Sequence, residues 1–447
     1  MASQGGAQGG PWSAPQVLHV ANPQEVTEVD AAIDDAARIQ VLHARYTTSP
    51  PTRTVWASQW TGSAWTAAQR LTPSEDALNP AVALDPVSGQ GYATWGDYDD
   101  TLFTTTIAES RFDGNQWLPQ ATPAWGTPGA SYEGYNILAA DRMGRVFALY
   151  QKFVGGRTRA AGAVRTTGGW SAGTLLSNQS GEVASTTPVL AVNAAGLAAA
   201  AWVDVDVVSG ESRMYVALGT SAAWGAPQQM AFNPNVDAAL PRVAVADNGQ
   251  VFLVWYEPVG GVIYRSYFSH YDGSQWSAPA RLDHLSSSAL AVDVAVGAGG
   301  DVWAVYTQET DIPGAVGLWA RRWTGSGWAA PVMVNTASLG FLLGSHRVMV
   351  DQHGRVLIVY YAFDSFSTFK TVYYSYWDGS QWEDSVVDIG ANGFNRPQKV
   401  AMNRSGHALV VWDNTTSTSP AALHDLRVAR FTPPPPGPMF ASGFEGP

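Results

Sequence analysis

The sequence of 447 residues contains no cysteine. Without thiols, the chain cannot form a disulfide framework, a thiolate metal site or a cysteine nucleophile. Charged residues are also scarce: they make up 14% of this chain, against roughly 25% of an average globular protein. Hydrophobic residues make up 46%. This balance predicts a well-packed, turn-rich chain with a large core.

Positive charge is the scarcer sign, because 25 Lys and Arg face 37 Asp and Glu, which gives a net charge of -12. Such a surplus of negative charge repels phosphate backbones and anionic lipid surfaces. The most apolar run, residues 189–203, is too short to span a membrane. Residues 1–6 show neither a basic segment nor an apolar one, so no signal peptide is predicted here. We therefore expect no nucleic-acid partner and no membrane insertion.

Tryptophan, in contrast, recurs along the whole chain at intervals of 52 to 54 residues. Close relatives of the stretch Tyr-Asp-Gly-Ser-Gln-Trp, residues 271–276, carry this repeat. The tryptophans are Trp12, Trp65, Trp117, Trp170, Trp224, Trp276, Trp328 and Trp382. A nearly constant period of this length indicates a repeat architecture.

Each period contains the signals of two hairpins. In the fifth period, residues 241–246 and 251–256 flank the turn Asp-Asn-Gly at 247–249, and residues 262–271 turn at Asp-Gly before returning through Trp276. In seven periods the glycine of the first turn is followed six residues later by an aromatic. The first period departs from the pattern, because Ala37 replaces the glycine and His43 replaces the aromatic.

Four antiparallel strands per repeat make a propeller blade. The eighth period stops after its third strand, residues 423–431, and residues 11–18 match the strand that begins at Trp276. We therefore predict an all-β, eight-bladed β-propeller of four-stranded antiparallel blades, whose ring is closed by the N-terminal strand. Residues 10–431 form this single domain, residues 1–9 a flexible N-terminus, and residues 432–447 a Pro-rich C-terminal tail.

The outer turn at residues 375–382, and its relatives at 110–117 and 269–276, resemble the Asp-box of sialidase-like propellers, Ser-x-Asp-x-Gly-x-Thr-Trp. Ser, Gly and Trp are in register, whereas Asp378 comes one place late and Gln381 replaces Thr. The resemblance implies a six-bladed ring, three arginines on a substrate carboxylate, a Tyr nucleophile with a Glu partner, and an Asp acid. We find neither the arginine triad nor the Tyr–Glu pair. The motif is a folding device, so it says little about chemistry.

The first functional candidates stand near the start of the eight predicted inner strands. Blades 5 to 8 and blade 1 carry charge there, while blades 2 to 4 carry small or apolar residues. In blade order the residues are Asp30, Ala81, Ile137, Val189, Arg242, Asp293, Arg347 and Lys399. Two interpretations stay open: a salt-bridge ring that plugs the channel, or an anion or sugar site.

The second candidate is blade 7, whose two loops on the variable-loop face are rich in large apolar residues: Leu339, Phe341, Leu342, Leu343, Tyr361, Phe363, Phe366 and Phe369. His346 and Arg347 lie beside them in the same blade, and Phe394 and Arg396 in the next. These residues predict an aromatic platform flanked by guanidinium groups. The alternative is that the loops pack inward. His346 or Tyr361 as base, with Arg347 on a uronate, would also resemble propeller-type polysaccharide lyases.

Acidic residues recur two places after the second-strand aromatic, at Asp97, Asp204 and Glu257. We interpret them as solvated turn acids. The run Asp-Tyr-Asp-Asp at 97–100 lacks the regular ligand spacing of a calcium loop. We therefore predict no metal and no cofactor.

These observations favour an exported, non-catalytic binding protein, lectin-like or adhesive, that recognises a glycan or protein partner on its variable-loop face. The alternative is a glycan-active enzyme, either a sialidase-like hydrolase or a polysaccharide lyase. Residues 439–445 are similar to tails of exported Gram-negative bacterial proteins, which implies a secreted, periplasmic or cell-surface location. The predicted binding residues are Arg347, His346, Tyr361, Phe363, Phe366, Arg396, Arg242 and Asp293.

Overall fold

In a computed structural model of the chain, eight antiparallel sheets form a ring. The structure describes residues 11–20, 25–48, 50–99, 104–126, 136–177, 183–231, 237–260, 263–310, 315–336, 342–363, 370–389, 395–415 and 424–435. The first strand of each blade contacts the first strands of both neighbouring blades, and these contacts run once around the ring. The predicted eight-bladed propeller is confirmed.

Each blade runs from a first strand at the axis to a short outermost strand. The first strands are β2 (Glu25–Ile33), β6 (Ala77–Leu84), β9 (Asn136–Ala140), β14 (Val183–Val192), β18 (Ala239–Val245), β22 (Ala289–Val296), β26 (Leu342–Val350) and β30 (Asn395–Met402). The second strands are β3 (Ile39–Thr48), β7 (Gly91–Asp99), β10 (Val146–Val154), β15 (Ala198–Asp206), β19 (Val251–Val259), β23 (Val302–Glu309), β27 (Val356–Phe363) and β31 (Ala408–Thr415).

The third strands are β4 (Pro51–Trp60), β8 (Thr104–Phe112), β11 (Arg157–Thr166), β16 (Ser212–Gly219), β20 (Ile263–Tyr271), β24 (Val316–Arg322), β28 (Lys370–Trp377) and β32 (His424–Phe431). The outermost strands are β1 (Gln16–His19), β5 (Gln69–Arg70), β12 (Gly169–Trp170), β13 (Thr174–Leu175), β17 (Gln228–Met230), β21 (Ala280–Arg281), β25 (Val332–Met333) and β29 (Trp382–Ile389). Blade 2 pairs its outer segment with β8 only through isolated bridges at Trp117 and Ala121.

The N-terminal strand closes the ring as predicted. Strand β1 pairs antiparallel with β32, with Gln16 opposite Val428, and Trp12 bridges Phe431. The Trp12 ring lies 5.2 Å from the Phe431 ring, and Leu18 packs against the core shared by blades 8 and 1.

The core lies between neighbouring blades. The second-strand aromatics are its largest members, and each is completely buried: Trp95, Tyr150, Trp202, Trp255, Tyr306, Tyr360 and Trp412. The repeating tryptophans of the outer strands are mostly only half-buried. Each pairs with the last residue of the third strand or its neighbour, as Trp276 does with Tyr271. The repeating tryptophans therefore hold the two strands of the outer hairpin together, while the fully buried second-strand aromatics fill the space between blades.

The turn of the first hairpin joins neighbouring blades in blades 1, 3 and 7. We call the face that bears both hairpin turns the turn face, and the opposite one the variable face. In blade 3, Asp141 accepts hydrogen bonds from the backbone and side chain of Arg145, whose other nitrogen donates to the Ala195 carbonyl of blade 4 at 2.6 Å. We call this pair, an Asp that starts the turn and an Arg four residues later, an Asp–Arg lock. The equivalent locks are Asp34–Arg38 and Asp351–Arg355.

These locks explain why glycine is needed at some turns and not at others. Gly196 has a φ of 82°, and a Cβ there would overlap the Arg145 guanidinium and come within 2.6 Å of Asp141 Oδ2. Ala37 adopts the same left-handed conformation with a φ of 58°. Ala37 belongs to blade 1, and the blade before it around the ring is blade 8. Blade 8 carries His407 at the position where the locks have arginine. An alanine therefore fits at position 37.

We expect Gly196→Ala to destabilise the fold more than Gly249→Ala. Gly249 has nearly the same φ, 88°, but no atom lies within 4 Å of its would-be Cβ. Gly249→Ala should therefore cost only the left-handed strain of about 1–2 kcal/mol, while Gly196→Ala adds an overpacking cost of about 1–3 kcal/mol. Urea unfolding of both variants measures the difference. Equal losses would show that Arg145 shifts away without cost.

Candidate functional site

The ring positions of the first strands lie at equivalent places in all eight blades. Each is paired with the residue directly before the second-strand aromatic, or before His43 in blade 1. The ring positions are Asp30, Ala81, Ile137, Val189, Arg242, Asp293, Arg347 and Lys399. The predicted alignment of the charged arc is thus confirmed by the strand register. Its predicted place near the start of the strands was wrong: each ring position lies three residues before the last residue of its strand, because the first strands, except in blade 3, begin earlier than predicted.

A register irregularity precedes the ring position in seven of the eight first strands. Bulges of this kind often lie beside functional sites and change the direction of a side chain. The sequence carried a signal for them in three blades, because Pro80, Pro188 and Pro241 stand just before the ring position. Proline within a sheet is confined to edges and bulges.

Two acidic ring residues join neighbouring blades. Asp30 accepts a hydrogen bond from the Val82 amide of blade 2 at 2.8 Å, and its other oxygen lies 2.5 Å from Lys399 Nζ of blade 8. Asp293 repeats this arrangement: it accepts from the Val348 amide at 3.0 Å and lies 3.8 Å from Arg242 Nε. The salt-bridge interpretation therefore holds for these two pairs.

Arg347 is different, because its two neighbours along the ring are already paired: Asp293 faces Arg242 and Lys399 faces Asp30. The Arg347 side chain is exposed, and its Nη1 donates to the His346 carbonyl at 2.8 Å. Among the described residues, no carboxylate lies within ion-pair distance of it. Counting the five charged ring positions, three cations and two acids leave one surplus positive charge, in a chain whose net charge is -12.

His346, predicted to bind ligand, is 3% exposed and lies within the blade interface. Its Nε2 lies 3.4 Å from the Val305 carbonyl. Burial, helped by the nearby charges of Arg347 and Arg242, lowers the pKa of His346 to about 4, against an opposing effect of Asp293. The imidazole is therefore neutral near pH 7, donates from Nε2 to Val305, and is too buried to contact a ligand directly.

The remaining blade 7 candidates are described only in part. Tyr361 is half-buried on β27. The backbones of Phe363 and Arg396 lie in β27 and β30, opposite Leu342 and Asp413, while their side chains lie outside the described part of the structure. Phe366 lies outside the described residues altogether. The same is true of other predicted loop residues: Leu339, Phe341, Phe369 and Phe394. The aromatic platform stays a prediction.

The interpretation of the recurring acids as solvated was wrong for two of them. Glu257 is 1% exposed and accepts a hydrogen bond from Trp255 Nε1 at 2.8 Å. Asp204 is 4% exposed and accepts from Ser185 Oγ at 2.5 Å. Asp97 is held by Ser74 and Gln120. Asp97 therefore ties loop residues to its strand, whereas Glu257 and Asp204 bond to strand residues of their own blades.

Sequence reasoning missed two exposed leucines beside the arc. Leu240 and Leu290 are each 38% exposed at the start of β18 and β22, close to the ring residues Arg242 and Asp293. Leu240 has a φ of 46°, a left-handed conformation that a leucine rarely adopts. A leucine gives no sequence signal for this conformation, whereas Asn79, at the matching place in blade 2, would give one.

The acidic outer turns have the geometry of a self-capped turn. Asp272 Oδ1 accepts hydrogen bonds from the amides of Ser274 and Gln275, at 2.7 and 2.9 Å. These bonds, with the Ser274 hydroxyl, lower the pKa of Asp272 to about 2. Asp113 and Asp378 cap their turns in the same way. The turn motif therefore acts in folding. No group of three or more acids and histidines suited to a metal occurs among the described residues.

No family model and no curated protein matches the chain. Similar solved structures are β-propellers of low identity. They include a PL25 ulvan lyase (12% identity, TM-score 0.45, 76% of this chain and 89% of that one). A Penicillium chrysogenum α-L-arabinanase (12%, 0.39, 79% and 92%) and a Streptococcus pneumoniae NanB sialidase mutant (9%, 0.40, 84% and 70%) are also similar. Likeness at this level concerns the fold alone and carries no argument about chemistry.

Proposed function

We propose that this propeller is a non-catalytic binding protein that recognises an anionic glycan in its channel, at the ring positions. The observation that carries the proposal is the exposed guanidinium of Arg347, which has no carboxylate within ion-pair distance among the described residues, because the neighbouring Asp293 faces Arg242 instead. A guanidinium binds carboxylate or sulfate through two parallel hydrogen bonds. Asp293 and Lys399 lie on either side of it along the arc, and each already faces a partner of opposite charge, Arg242 and Asp30.

The opposite half of the ring supports a sugar as the ligand. Ile137 and Val189 are half-buried at the ring positions of blades 3 and 4, and Leu240 adds exposed apolar surface next to Arg242. A sugar ring has one apolar face as well as polar groups, so it suits a channel that is cationic on one side and apolar on the other.

A binding role is favoured over an enzymatic one by the state of the titratable groups on the arc. A general base must reach the proton it removes, but His346 is buried within the blade interface. Asp30 and Asp293 already hold backbone amides and cations. Sialidase-like or lyase chemistry is kept as the alternative outcome of the test.

Arg347→Glu is expected to weaken binding of an acidic polysaccharide by roughly 10- to 150-fold, because a hydrogen-bonded charged contact contributes about 1.5–3 kcal/mol. The probes are polygalacturonate for carboxylates, chondroitin sulfate for sulfates, and uncharged dextran, measured by calorimetry at low and high salt. The matched control is Arg322→Glu, the same charge change at an exposed side chain paired with Asp301 in the turn-face part of blade 6.

Two results would contradict the proposal: neither acidic polymer binds the wild-type protein, or both variants bind as well as the wild type. Absorbance from unsaturated uronates, or new reducing ends, would show catalysis and favour the enzyme instead. Binding lost in Arg347→Glu alone, with no product formed, supports the proposed role.

We also propose that the protein is exported. The similarity of the Pro-rich tail to tails of exported proteins supports this. Fractionation of expressing cells is the test, and recovery in the cytoplasm alone would contradict it.

A further inference from the structure

The turn face carries a second opening of the channel. The second residue of each first-hairpin turn lies at this opening, and these residues differ between blades: Asp35, Pro86, Arg142, Ala194, Asp247, Ala298, Gln352 and Arg404. Five polar side chains, those of Asp35, Arg142, Gln352, Arg404 and Ser405, line a cavity of about 470 Å³. This volume lies within the range of about 300–1,000 Å³ for small-molecule sites.

Charges of opposite sign alternate around this rim. Asp35 of blade 1 pairs with Arg142 of blade 3, and Asp247 of blade 5 lies 3.5 Å from Arg404 of blade 8. Both pairs join blades that are not neighbours. Their side chains stay 31% and 35% exposed, so a ligand in the cavity can reach them.

Hydrogen bonds between adjacent blades hold the turns that carry these side chains. The Asp35 amide donates to the Pro86 carbonyl at 3.0 Å, and the Gln352 amide donates to the Arg404 carbonyl at 2.8 Å. Asp247 also accepts a hydrogen bond from the Ala194 amide at 2.9 Å. Each bond joins adjacent blades, so the rim is held ready for a ligand before any ligand arrives.

Below the rim, aliphatic side chains join the polar rim residues in lining the channel. The last residues of seven first strands form a collar around a second cavity of about 290 Å³, which adjoins the first: Ile33, Ala140, Val192, Val245, Val296, Val350 and Met402. A polar, charge-alternating mouth above an aliphatic collar is suited to a molecule with a charged head and an apolar body.

We propose that this opening binds a free α-amino acid with an aliphatic side chain. The ammonium would contact Asp35 or Asp247, the carboxylate would contact Arg142 or Arg404, and the side chain would enter the collar. A simple anion fits poorly, because each guanidinium already faces a carboxylate that repels it. A simple cation fits poorly for the converse reason. A zwitterion satisfies both signs and leaves the net charge of the rim unchanged.

The probe is L-leucine, measured by calorimetry and by equilibrium dialysis. Its analogues each lack one feature: 4-methylpentanoate lacks the ammonium, 3-methylbutylamine the carboxylate, and glycine the side chain. We expect saturable binding of leucine, and binding of each analogue at least roughly 10-fold weaker, since a charged hydrogen bond contributes about 1.5–3 kcal/mol and burial of a leucine side chain contributes about as much. Arg404→Gln and Asp247→Asn should each weaken leucine binding by a similar factor.

Arg322→Gln is the matched control, because it removes a guanidinium from the turn-face part of blade 6 that lies outside the cavity lining. Absence of saturable leucine binding to the wild-type protein at millimolar concentrations would overturn the proposal. Equal binding of 4-methylpentanoate would reduce the site to an anion site and overturn it too, as would unchanged binding in both rim variants. Because Arg347 lines neither cavity, these outcomes are independent of the glycan test.

Discussion

A chain that begins at residue 21 is expected to unfold at a markedly lower temperature than the full chain and to aggregate on heating. The truncation removes β1, the fourth strand of blade 8, and leaves β32 as an open edge. It also removes Trp12 from the Tyr374 and Phe431 rings, and Leu18 from the core between blades 8 and 1. Loss of two such side chains costs about 4–8 kcal/mol, and an open edge can pair with other chains.

Calorimetry with light scattering measures both effects. The control is a chain that begins at residue 11, which keeps Trp12 and every described contact of β1. It should melt like the full chain. If the chain that begins at residue 21 melted within about one degree of that control, blade 8 would be stable with three strands and closure by β1 would contribute nothing to stability.

The blade count, the strand order and this closure were predictable because the information is local and repeated. A turn glycine and an aromatic six residues later fix the register of one hairpin, and eight copies fix the ring. The same register placed Arg242, Asp293, Arg347 and Lys399 at equivalent positions, as the strand pairing confirms. The repeat in the sequence was therefore enough to predict the fold and the alignment of the candidate site residues.

The chemistry of the site was not predictable in the same way, because it depends on contacts between blades. Asp30 meets Lys399 and the Val82 amide, partners that lie 369 and 52 residues away in the chain. Burial of His346 and Glu257 depends on how neighbouring blades cover them. No spacing within one repeat records these lateral contacts.

The turn face shows the same limit. In several blades the first-hairpin turn consists of Asp or Asn, two further residues and Gly. This similarity concealed the variation at the residue directly after the Asp or Asn. That position faces the channel, so charges from Asp35, Arg142, Asp247 and Arg404 converge there although they are far apart in sequence. An alignment of the eight turns, compared at the second turn residue alone, would have revealed the rim.

Asp351→Ala is expected to destabilise the fold by about 3–5 kcal/mol, the cost of leaving a buried charge without its partner. Asp351 is 1% exposed and accepts bonds from the amides of His353 and Arg355 at 2.8 and 2.9 Å, and from Arg355 Nε at 2.5 Å. The Arg355 side chain is only 9% exposed, and it also donates to the Ser405 and Pro434 carbonyls. Through these bonds the lock connects blade 7 to blade 8 and to the start of the Pro-rich tail.

The matched control is Asp85→Ala in blade 2. Asp85 caps its own turn by accepting hydrogen bonds from the Val87 amide and the Ser88 hydroxyl. Gln90 stands near the place of the lock arginine, so removal of Asp85 leaves no guanidinium without its carboxylate partner. Its loss should cost about 0.5–1.5 kcal/mol. Chemical denaturation of both variants gives the comparison. Equal losses would mean that the lock contributes no more than an ordinary turn hydrogen bond.

The chain itself supplies the rescue for the Asp351 variant. Blade 4 carries Asn193 and Leu197 where blade 7 carries Asp351 and Arg355, and Asn193 reaches the next blade by donating to the Ala246 carbonyl at 2.9 Å. The double variant Asp351→Asn, Arg355→Leu should therefore recover most of the stability lost in Asp351→Ala, because no unpaired guanidinium is left in the interface. A double variant as unstable as Asp351→Ala would show that the loss comes from the turn itself, and not from the stranded charge of Arg355.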